Sequence, residues 1–415
     1  MTDERKQGME ATRRKLETEL ENLLQCLALG TSLEVCVFAL SRKKFSNISI
    51  RGFFVYALYE YIREQARLEG HKLQLTRRKR LFDTQLPLVF ELIISAQYLV
   101  NQILDGKGGV LKNQTYDMAK VKENTLAASY LKDVLYEYVE TTIFPNETRK
   151  AQTVQRYIRQ AFQIVDEGQL LEQRYSSFVN FQNGFAIPPP FSAFASRLLN
   201  QELEDELWNT FQNAGLSNAH ESFTRFYLQR VFCTNAAPFA LMTDLVLDLT
   251  GYDGPQRENI RRFGRSFGML AQLVNDLTDL LPMRFEQDTI AKIPEDAYSD
   301  LRNDNITLPL IFFLDQNPDY PYPSLRHDLH TSEKQDAVFE LLKPLCRTTL
   351  IPMLREWAGQ TKRTWLSRGN PNYAFFGDVI SIARNGRYFN HFGKIEKKQP
   401  PDSLKPDSAL NQSGP

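Results

Sequence analysis

The sequence predicts an all-α protein, and three observations support that fold class. Apolar residues recur with helical periodicity along most of the 415 residues. Alternating apolar and polar residues of the kind that form strands are almost absent, and no Asn-Gly hairpin joins two apolar runs. Several helical stretches are apolar on more than one face, which is typical of helices inside a bundle.

The predicted helices follow one another along the chain and are separated by Gly- and Pro-rich breakers. In order, they cover residues 12–40, 50–68, 84–105, 114–143, 150–182, 190–214, 219–249, 255–281, 307–314, 333–365 and 373–388. The breakers are DGKGG at 105–109, IPPPF at 187–191, TGYDG at 250–254 and NPDYPYP at 317–323. We expect a rigid polyproline turn at 187–191.

The domain organisation follows from these stretches. We expect a helical N-terminal extension over residues 1–45 and a helical domain over residues 46–395. Residues 396–415 carry four prolines and few large apolar side chains, which predicts a disordered tail.

Composition excludes several functional classes. Fifty basic and fifty acidic residues cancel, whereas a nucleic-acid protein needs a basic excess. The four cysteines and five histidines are too scattered for a disulfide framework or a zinc site. The charged N-terminus lacks the apolar core of a signal peptide, and no apolar run reaches the length of a membrane span. We therefore expect a soluble cytoplasmic protein.

Two polar pairs with the spacing N-x-x-x-D, which we call polar frames, lie within apolar segments that are predicted to be helical. The first is Asn101 with Asp105, and the second is Asn275 with Asp279. Positions i and i+4 project from one face of a helix, so each frame presents two oxygens to the same space. Buried polar pairs need partners, water or a ligand. Taken alone, each frame is better explained by ordinary hydrogen-bonding residues at a helix end or in the interior of the bundle than by a site.

Five segments in a fixed order resemble motifs of the trans-isoprenyl diphosphate synthases. ELIISAQYLVNQILDGKGG at 91–109 resembles the first aspartate-rich helix of that family, and FGRSFGMLAQLVNDLTD at 263–279 resembles the second. IVDEGQLLEQ at 164–173 is similar to its G-Q-x-x-D segment, and DLRNDNITLPLI at 300–311 to its D-L-x-x-G-K-x-T-L-P-L-I segment. Cys233 and Thr234 stand where the family has a Lys-Thr pair. The matching residues include Gly168, Gln169, Glu172, Gly268, Gln272, Asp276 and Asp279.

The resemblance implies a class I isoprenoid synthase-like helical bundle with a central cavity. In that family, Mg²⁺ ions, with Mn²⁺ as an alternative, bridge carboxylates on two facing helices to the diphosphate of an allylic substrate. The metal ligands it implies here are Asn101, Asp105, Asn275, Asp276 and Asp279, with Asp105, Asn275 and Asp279 as the catalytic set. The implied contacts to a prenyl diphosphate are Lys107, Gln169, Arg230, Gln272, Lys292, Arg387 and Tyr388.

The sequence also departs from the family pattern. Asn101, Gln102 and Asn275 replace three of the six motif carboxylates, and an amide is a weaker magnesium ligand. Cys233 and Asn305 replace two basic residues that hold diphosphates in the family. Ordinary chain elongation is therefore not expected.

Two interpretations remain open. In the first, the protein ionises one prenyl diphosphate and then cyclises or transfers it, as class I terpene synthases do. Asn275 with Asp279, the upstream Arg230 and the Arg387-Tyr388 pair resemble parts of that site, although Met283 stands where a Glu ligand is expected and Glu286 is only nearby. In the second, the chain is a catalytically silent relative that binds and regulates an active synthase. Both interpretations are compatible with a homodimer or a heterodimer.

Overall fold

A computed structural model of the protein describes residues 50–280 and 298–373. Short gaps fall at 76–77, 108, 113–114, 188, 328 and 330, and a few residues between 14 and 23 are also described. Most of the expected N-terminal extension, the predicted helix at 373–388 and the expected disordered tail therefore lie outside the described residues.

The described residues form a bundle of α-helices, which confirms the predicted fold class. The α-helices are α1 (Ile50–Glu69), α2 (Leu86–Leu104), α3 (Met118–Tyr138), α4 (Thr148–Tyr175), α5 (Phe178–Asn183), α6 (Ala193–Leu199), α7 (Gln201–Asn213), α8 (Glu221–Val231), α9 (Ala237–Thr250), α10 (Arg257–Leu280), α11 (Ser299–Arg302), α12 (Leu308–Gln316), α13 (Tyr322–Arg326), α14 (Ser332–Leu345) and α15 (Ile351–Trp365). A 3₁₀ turn (Asn218–His220) precedes α8.

Single π-helical turns extend or join several of these helices. They cover Leu81–Gln85 before α2, Val139–Ile143 after α3, Phe232–Ala236 between α8 and α9, and Cys346–Leu350 between α14 and α15. The β-structure of the described residues is one antiparallel hairpin of two-residue strands, β1 (Leu111–Lys112) and β2 (Thr115–Tyr116).

Local residues explain where the predicted helix boundaries were wrong. The predicted helix 190–214 is divided at Asn200, which adopts φ +66° and caps α7 by accepting from the Glu202 N–H at 3.0 Å. The predicted helix 114–143 begins only at Met118, because the Asp117 carboxylate caps it. The predicted helix 333–365 contains a π turn between Pro344 and Pro352, each of which removes a backbone donor.

Two stretches are long and apolar enough to cross a membrane, namely Leu81–Leu104 and Asn218–Thr250. However, 72% and 78% of their most apolar windows are buried inside the fold. Core helices of a bundle have this composition because they are surrounded by other helices on most faces. We therefore assign both stretches to the core of the bundle.

An aromatic core fixes the relative positions of the helices that carry the two polar frames. Phe54 of α1 lies 4.8 Å from Phe267 of α10 and 5.2 Å from Phe239 of α9, measured between ring centroids. Phe90 of α2 lies 5.1 Å from the Phe239 ring. All four rings are buried, so α2 and α10 are anchored to the same cluster.

Two motif glycines allow α4 and α10 to pack closely against the π turn Phe232–Ala236. A Cβ on Gly168 would lie 2.7 Å from the Cβ of Cys233 and 2.9 Å from the Thr234 backbone nitrogen. A Cβ on Gly268 would lie 2.6 Å from the Ala236 Cα. Side chains at these positions would force the helices apart, so both glycines serve the packing around the site.

Candidate functional site

The first polar frame lies at the C-terminal end of α2. Asp105 caps this helix, and its backbone N–H donates to the Asn101 carbonyl at 2.8 Å. Gly106 then adopts φ +65°, and a Cβ there would lie 2.9 Å from the Leu111 Cβ. The turn brings Lys107 back beside the frame, with 3.0 Å between its Nζ and Asp105 Oδ2. Two predicted site residues therefore form an ion pair.

The amides of the first frame bond to neighbouring helices. The Asn101 side-chain oxygen accepts a hydrogen bond from the Gln169 amide of α4. Gln102 is buried, and its oxygen accepts from the Asn124 Nδ2 of α3 at 3.2 Å. The structure thus brings the predicted residues Asn101 and Gln169 together. Both amide oxygens already have protein donors.

The second polar frame lies near the C-terminal end of α10. Asp276 has no exposed surface, and its two oxygens accept from Tyr227 Oη and Gln272 Nε2, each at 2.6 Å. The Asn275 side chain, one position earlier, is exposed. Two of the residues predicted for this site, the partly buried Gln272 and the buried Asp276, are therefore in contact.

Asp279 holds the segment that begins α11. Its Oδ1 accepts from the Ser299 hydroxyl at 2.8 Å and from the Ser299 N–H at 3.2 Å. Its Oδ2 accepts from the Asp300 N–H at 3.1 Å. Both carboxylate oxygens are thus engaged in capping a short helix.

Arg230 of α8 is buried beside the second frame. Its Nη1 lies 2.7 Å from Glu172 Oε2, and its guanidinium lies 5.1 Å from the centroid of the Tyr227 ring. Glu172 also accepts from the Asn305 side-chain amide. The Nε and Nη2 atoms of Arg230 are buried and have no hydrogen-bond partner within the described part of the protein. Arg230 therefore retains donor capacity in the interior.

Residues just after α11 connect the two frames. The Asn303 Nδ2 donates to the Asp105 backbone carbonyl at 3.0 Å. The Ile306 N–H donates to the Ser176 carbonyl at the end of α4, at 2.8 Å. The ends of α2 and α10 thus belong to one polar layer.

Five carboxylates interact electrostatically within this layer, and we call them the acidic layer. They are Asp105, Glu172, Asp276, Asp279 and Asp300. The cations that face them among the described residues are Lys107 and Arg230. Among the described residues, the carboxyl groups of the acidic layer thus outnumber these two cations.

Burial raises the pKa values of four carboxyl groups in the acidic layer, those of Asp105, Asp276, Asp279 and Asp300. It raises the pKa of Asp276 to about 7, although Arg230 and the Tyr227 hydroxyl act in the opposite direction. Burial also raises the pKa of Asp105 and of Asp279 above the ordinary range, despite the nearby Lys107 ammonium. For Asp300, burial and then the Asp279 charge raise the pKa further. Burial, rather than repulsion between the carboxylates, is the largest cause of each of these pKa shifts.

The pKa values of the two cations are raised as well, because the neighbouring carboxylates outweigh the effect of burial. Burial lowers the pKa of Lys107, but the carboxylates of Asp105, Asp300 and Asp279 more than reverse that effect, so its pKa lies above the usual value. Burial acts likewise on Arg230, and Glu172 and Asp276 again raise the pKa overall. Both side chains therefore remain charged at neutral pH.

The two positions at which the family carries lysine hold no charge here. Cys233 is buried, and burial raises the pKa of its thiol, so the thiol is neutral at physiological pH. Asn305 is buried and bonded to Glu172.

The structure does not describe every predicted site residue, and it adds others. Lys292, Arg387 and Tyr388 lie outside the described residues, as do Met283 and Glu286. The side chains that the sequence analysis did not assign to the site are Glu172, Tyr227, Ser299, Asp300 and Asn303. Glu172 and Asp300 lie within quoted motifs, so a signal for them existed. Tyr227 could have been found from its position one turn before Arg230.

The donor chemistry of the acidic layer suits a hard divalent cation. Such ions prefer carboxylate oxygens, and a bound cation would favour the ionised form of carboxyl groups whose pKa burial raises. Within residues 50–280 and 298–373, however, no three acidic, His or Cys side chains converge closely enough to hold one ion. Lys107 interacts with the carboxylates of both frames instead.

Comparisons with known proteins identify the fold. No protein-family model and no curated protein matches the chain. Among solved structures, it is similar to the polyprenyl synthase of Caulobacter crescentus complexed with calcium and isoprenyl diphosphate (TM-score 0.58, 16% identity, 91% of this chain and 97% of that one). It is also similar to the heptaprenyl diphosphate synthase of Staphylococcus aureus (TM-score 0.57, 15% identity, 90% of this chain and 98% of that one). A further similar structure is the geranylgeranyl pyrophosphate synthetase of Geoglobus acetivorans (TM-score 0.56, 12% identity, 90% of this chain and 99% of that one).

Identities this low show the fold and nothing finer. The chain has the all-α fold of the trans-isoprenyl diphosphate synthases, and the resemblance predicted from its motifs is confirmed at that level.

Proposed function

We propose that the protein ionises an allylic prenyl diphosphate with the help of Mg²⁺ and directs the resulting cation to cyclisation or transfer. The observation that carries this proposal is the acidic layer, in which five carboxylates face two cations at the ends of α2 and α10. The proposal includes a cytoplasmic location and a homodimer or a heterodimer with a related synthase.

The energetics of the acidic layer favour a functional role. A buried carboxylate without enough cations around it lowers the stability of the fold. Apolar residues of similar volume would lower it less. Strongly perturbed carboxyl groups gathered at one place are typical of sites that bind or react. Asp276 has no exposed surface, so its carboxyl group does not contribute to the solubility of the protein surface.

The chain's own residues divide into two roles in this proposal. Asp105 and Asp279, with Asp276 and the amides Asn101 and Asn275, would hold the divalent cation. When bound, that ion supplies electrostatic stabilisation to the departing diphosphate.

The second role is contact with the diphosphate. Lys107 and Arg230 would bind its oxygens, and Arg230 has two N–H groups without partners in the described structure. Gln169 and Gln272 would orient the frame residues that they contact, Asn101 and Asp276. Lys292, Arg387 and Tyr388 are proposed as further diphosphate contacts.

Ordinary chain elongation is the less favoured reaction. A second diphosphate substrate needs its own cationic contacts. Cys233 and Asn305 carry no positive charge, so two of the family's contacts are missing.

The test is an activity assay with the purified protein and Mg²⁺. Allylic diphosphates of ten, fifteen and twenty carbons are supplied in turn, each with and without isopentenyl diphosphate. Diphosphate release and hydrocarbon products are measured. We expect release without isopentenyl diphosphate, whereas release that requires it would indicate elongation.

A catalytically silent subunit is the second candidate, and a specific observation favours it. Both oxygens of Asp276 and both of Asp279 already accept hydrogen bonds from the protein's own donors. In this case the folded protein releases no diphosphate with any substrate. It would instead change the activity of a co-expressed synthase of the same fold, which size-exclusion chromatography and activity assays of the pair would reveal.

A further inference from the structure

Lys107 is placed where a cation between the two frames would act. Its Nζ lies 3.0 Å from Asp105 Oδ2 in the first frame. The other carboxylates that act most strongly on it are Asp300 and Asp279, at the second frame. The side chain is 26% exposed, so the ammonium lies within the layer and still has access to solvent.

The backbone around Lys107 fixes this position. Gly106 adopts φ +65°, which reverses the chain at the end of α2. The Lys107 N–H donates to the Gln102 carbonyl at 3.0 Å, and the Val110 N–H donates to the Lys107 carbonyl at 3.2 Å. Backbone hydrogen bonds thus involve both the N–H and the carbonyl of Lys107. They restrict the backbone of the turn and hold the Lys107 ammonium near Asp105.

We infer that Lys107 is a built-in competitor of the divalent cation. Its ammonium neutralises carboxylates of both frames in the ligand-free protein and must leave them before a metal ion can bind. This inference rests on the proposed use of the acidic layer as a cation site.

The competition has a consequence for the order of binding. An ammonium and a metal ion repel each other, so the layer binds metal weakly while Lys107 occupies it. A diphosphate offers several oxygens that accept from a lysine ammonium. Diphosphate binding would therefore draw Lys107 away from Asp105 and raise the affinity for metal. The metal and the diphosphate are expected to bind cooperatively, each improving the affinity for the other by the same factor.

The decisive experiment measures Mg²⁺ binding in the absence of any diphosphate. Wild-type protein, Lys107→Met and Lys107→Arg are titrated with MgCl₂ at constant ionic strength by isothermal titration calorimetry, and their thermal unfolding is followed in parallel. The matched control is Lys132→Met, which removes another half-exposed lysine that pairs with a carboxylate, Asp166, at 3.7 Å.

We expect Lys107→Met to bind Mg²⁺ on the order of tenfold more tightly than wild type, because a positive charge is removed next to the ligands. Lys107→Arg and Lys132→Met should titrate like wild type. Equal Mg²⁺ affinity of wild type and a folded Lys107→Met would overturn the inference. Tight Mg²⁺ binding by the wild type in the absence of diphosphate would also overturn the inference. That result does not depend on whether the variant folds.

The outcome is separable from the proposed function. A Lys107→Met protein that gains Mg²⁺ binding supports the competitor role even if the wild type releases no diphosphate from any substrate. Conversely, the wild type could release diphosphate from a substrate and also bind Mg²⁺ tightly without any diphosphate present. That result would support the proposed function and rule out the competitor role of Lys107.

Discussion

Replacing Arg230 with Met tests whether this side chain is the counterion of the buried second frame. Arg230 is 2% exposed and lies 2.7 Å from Glu172, and Asp276 is the next carboxylate that acts on it. The methionine side chain keeps part of the apolar contact but removes the charge. Two carboxylates would then share the interior without their cation. Breaking a buried pair by removing one partner costs about 3–5 kcal/mol in the free energy of unfolding.

Arg225 provides a matched control on the same helix. It contacts Glu204, Asp205 and Glu221, but it is 27% exposed, and two of its partners are more than 40% exposed. We expect Arg225→Met to lower the free energy of unfolding by about 1 kcal/mol, since solvent screens such pairs. Equilibrium urea unfolding followed by circular dichroism measures both variants.

A second substitution separates the charge effect from packing. Adding Glu172→Gln to Arg230→Met removes the carboxylate left without a partner, and the double variant should recover part of the lost stability. The penalty of Arg230→Met should also shrink as the pH falls, because protonation neutralises the orphaned carboxylates. If Arg230→Met lowers the free energy of unfolding no more than Arg225→Met does, Arg230 is not the counterion of this layer.

Two further predictions concern charge and packing near the frames. The pKa of Asp276 is about 7 in the folded protein and near 3.8 when unfolded, so between these values the folded state holds the extra proton and the stability from this group falls as pH rises. The free energy of unfolding of Asp276→Asn should therefore rise relative to that of the wild type between about pH 4 and pH 7, with no further rise above pH 7. Thermal unfolding measures it. A constant difference between the two proteins across that pH range would contradict the raised pKa of Asp276. Gly168→Ala would place a Cβ 2.7 Å from Cys233 and lower the free energy of unfolding by about 1–3 kcal/mol. Gly369→Ala, where the nearest atom would be 3.7 Å away, is the control, and equal urea midpoints for the two variants would refute the packing argument.

Local sequence patterns predicted most of the fold because helices are local structures. Apolar residues at three- and four-residue intervals located the main helices, and proline and glycine located the breaks. The pattern also contained a signal for the orientation of α10. Asp276 lies three residues after Leu273 and four before Leu280, both fully buried, which places it on the interior face. The resemblance did name Asp276 as a metal ligand, whereas the i, i+4 frame by itself selected the neighbouring Asn275, which is exposed.

Long-range contacts within the site could not be predicted from one sequence. Asn305 and Glu172 are 133 residues apart, and their hydrogen bond exists only because α4 and the start of α12 meet in the fold. The same is true of Asn303 and the Asp105 carbonyl, which are 198 residues apart. Sequence patterns report side-chain type and local spacing, but they do not report which donor satisfies which carboxylate.

The measurement that tests the central claim most directly is diphosphate release from allylic diphosphates with Mg²⁺, compared between wild type and Asp105→Asn combined with Asp279→Asn. We predict release by wild type without isopentenyl diphosphate, and its loss in the double variant while circular dichroism shows a folded helical protein. Release that survives in the folded double variant would contradict the assignment of the two frames. No release by folded wild type with any substrate would contradict the proposed chemistry.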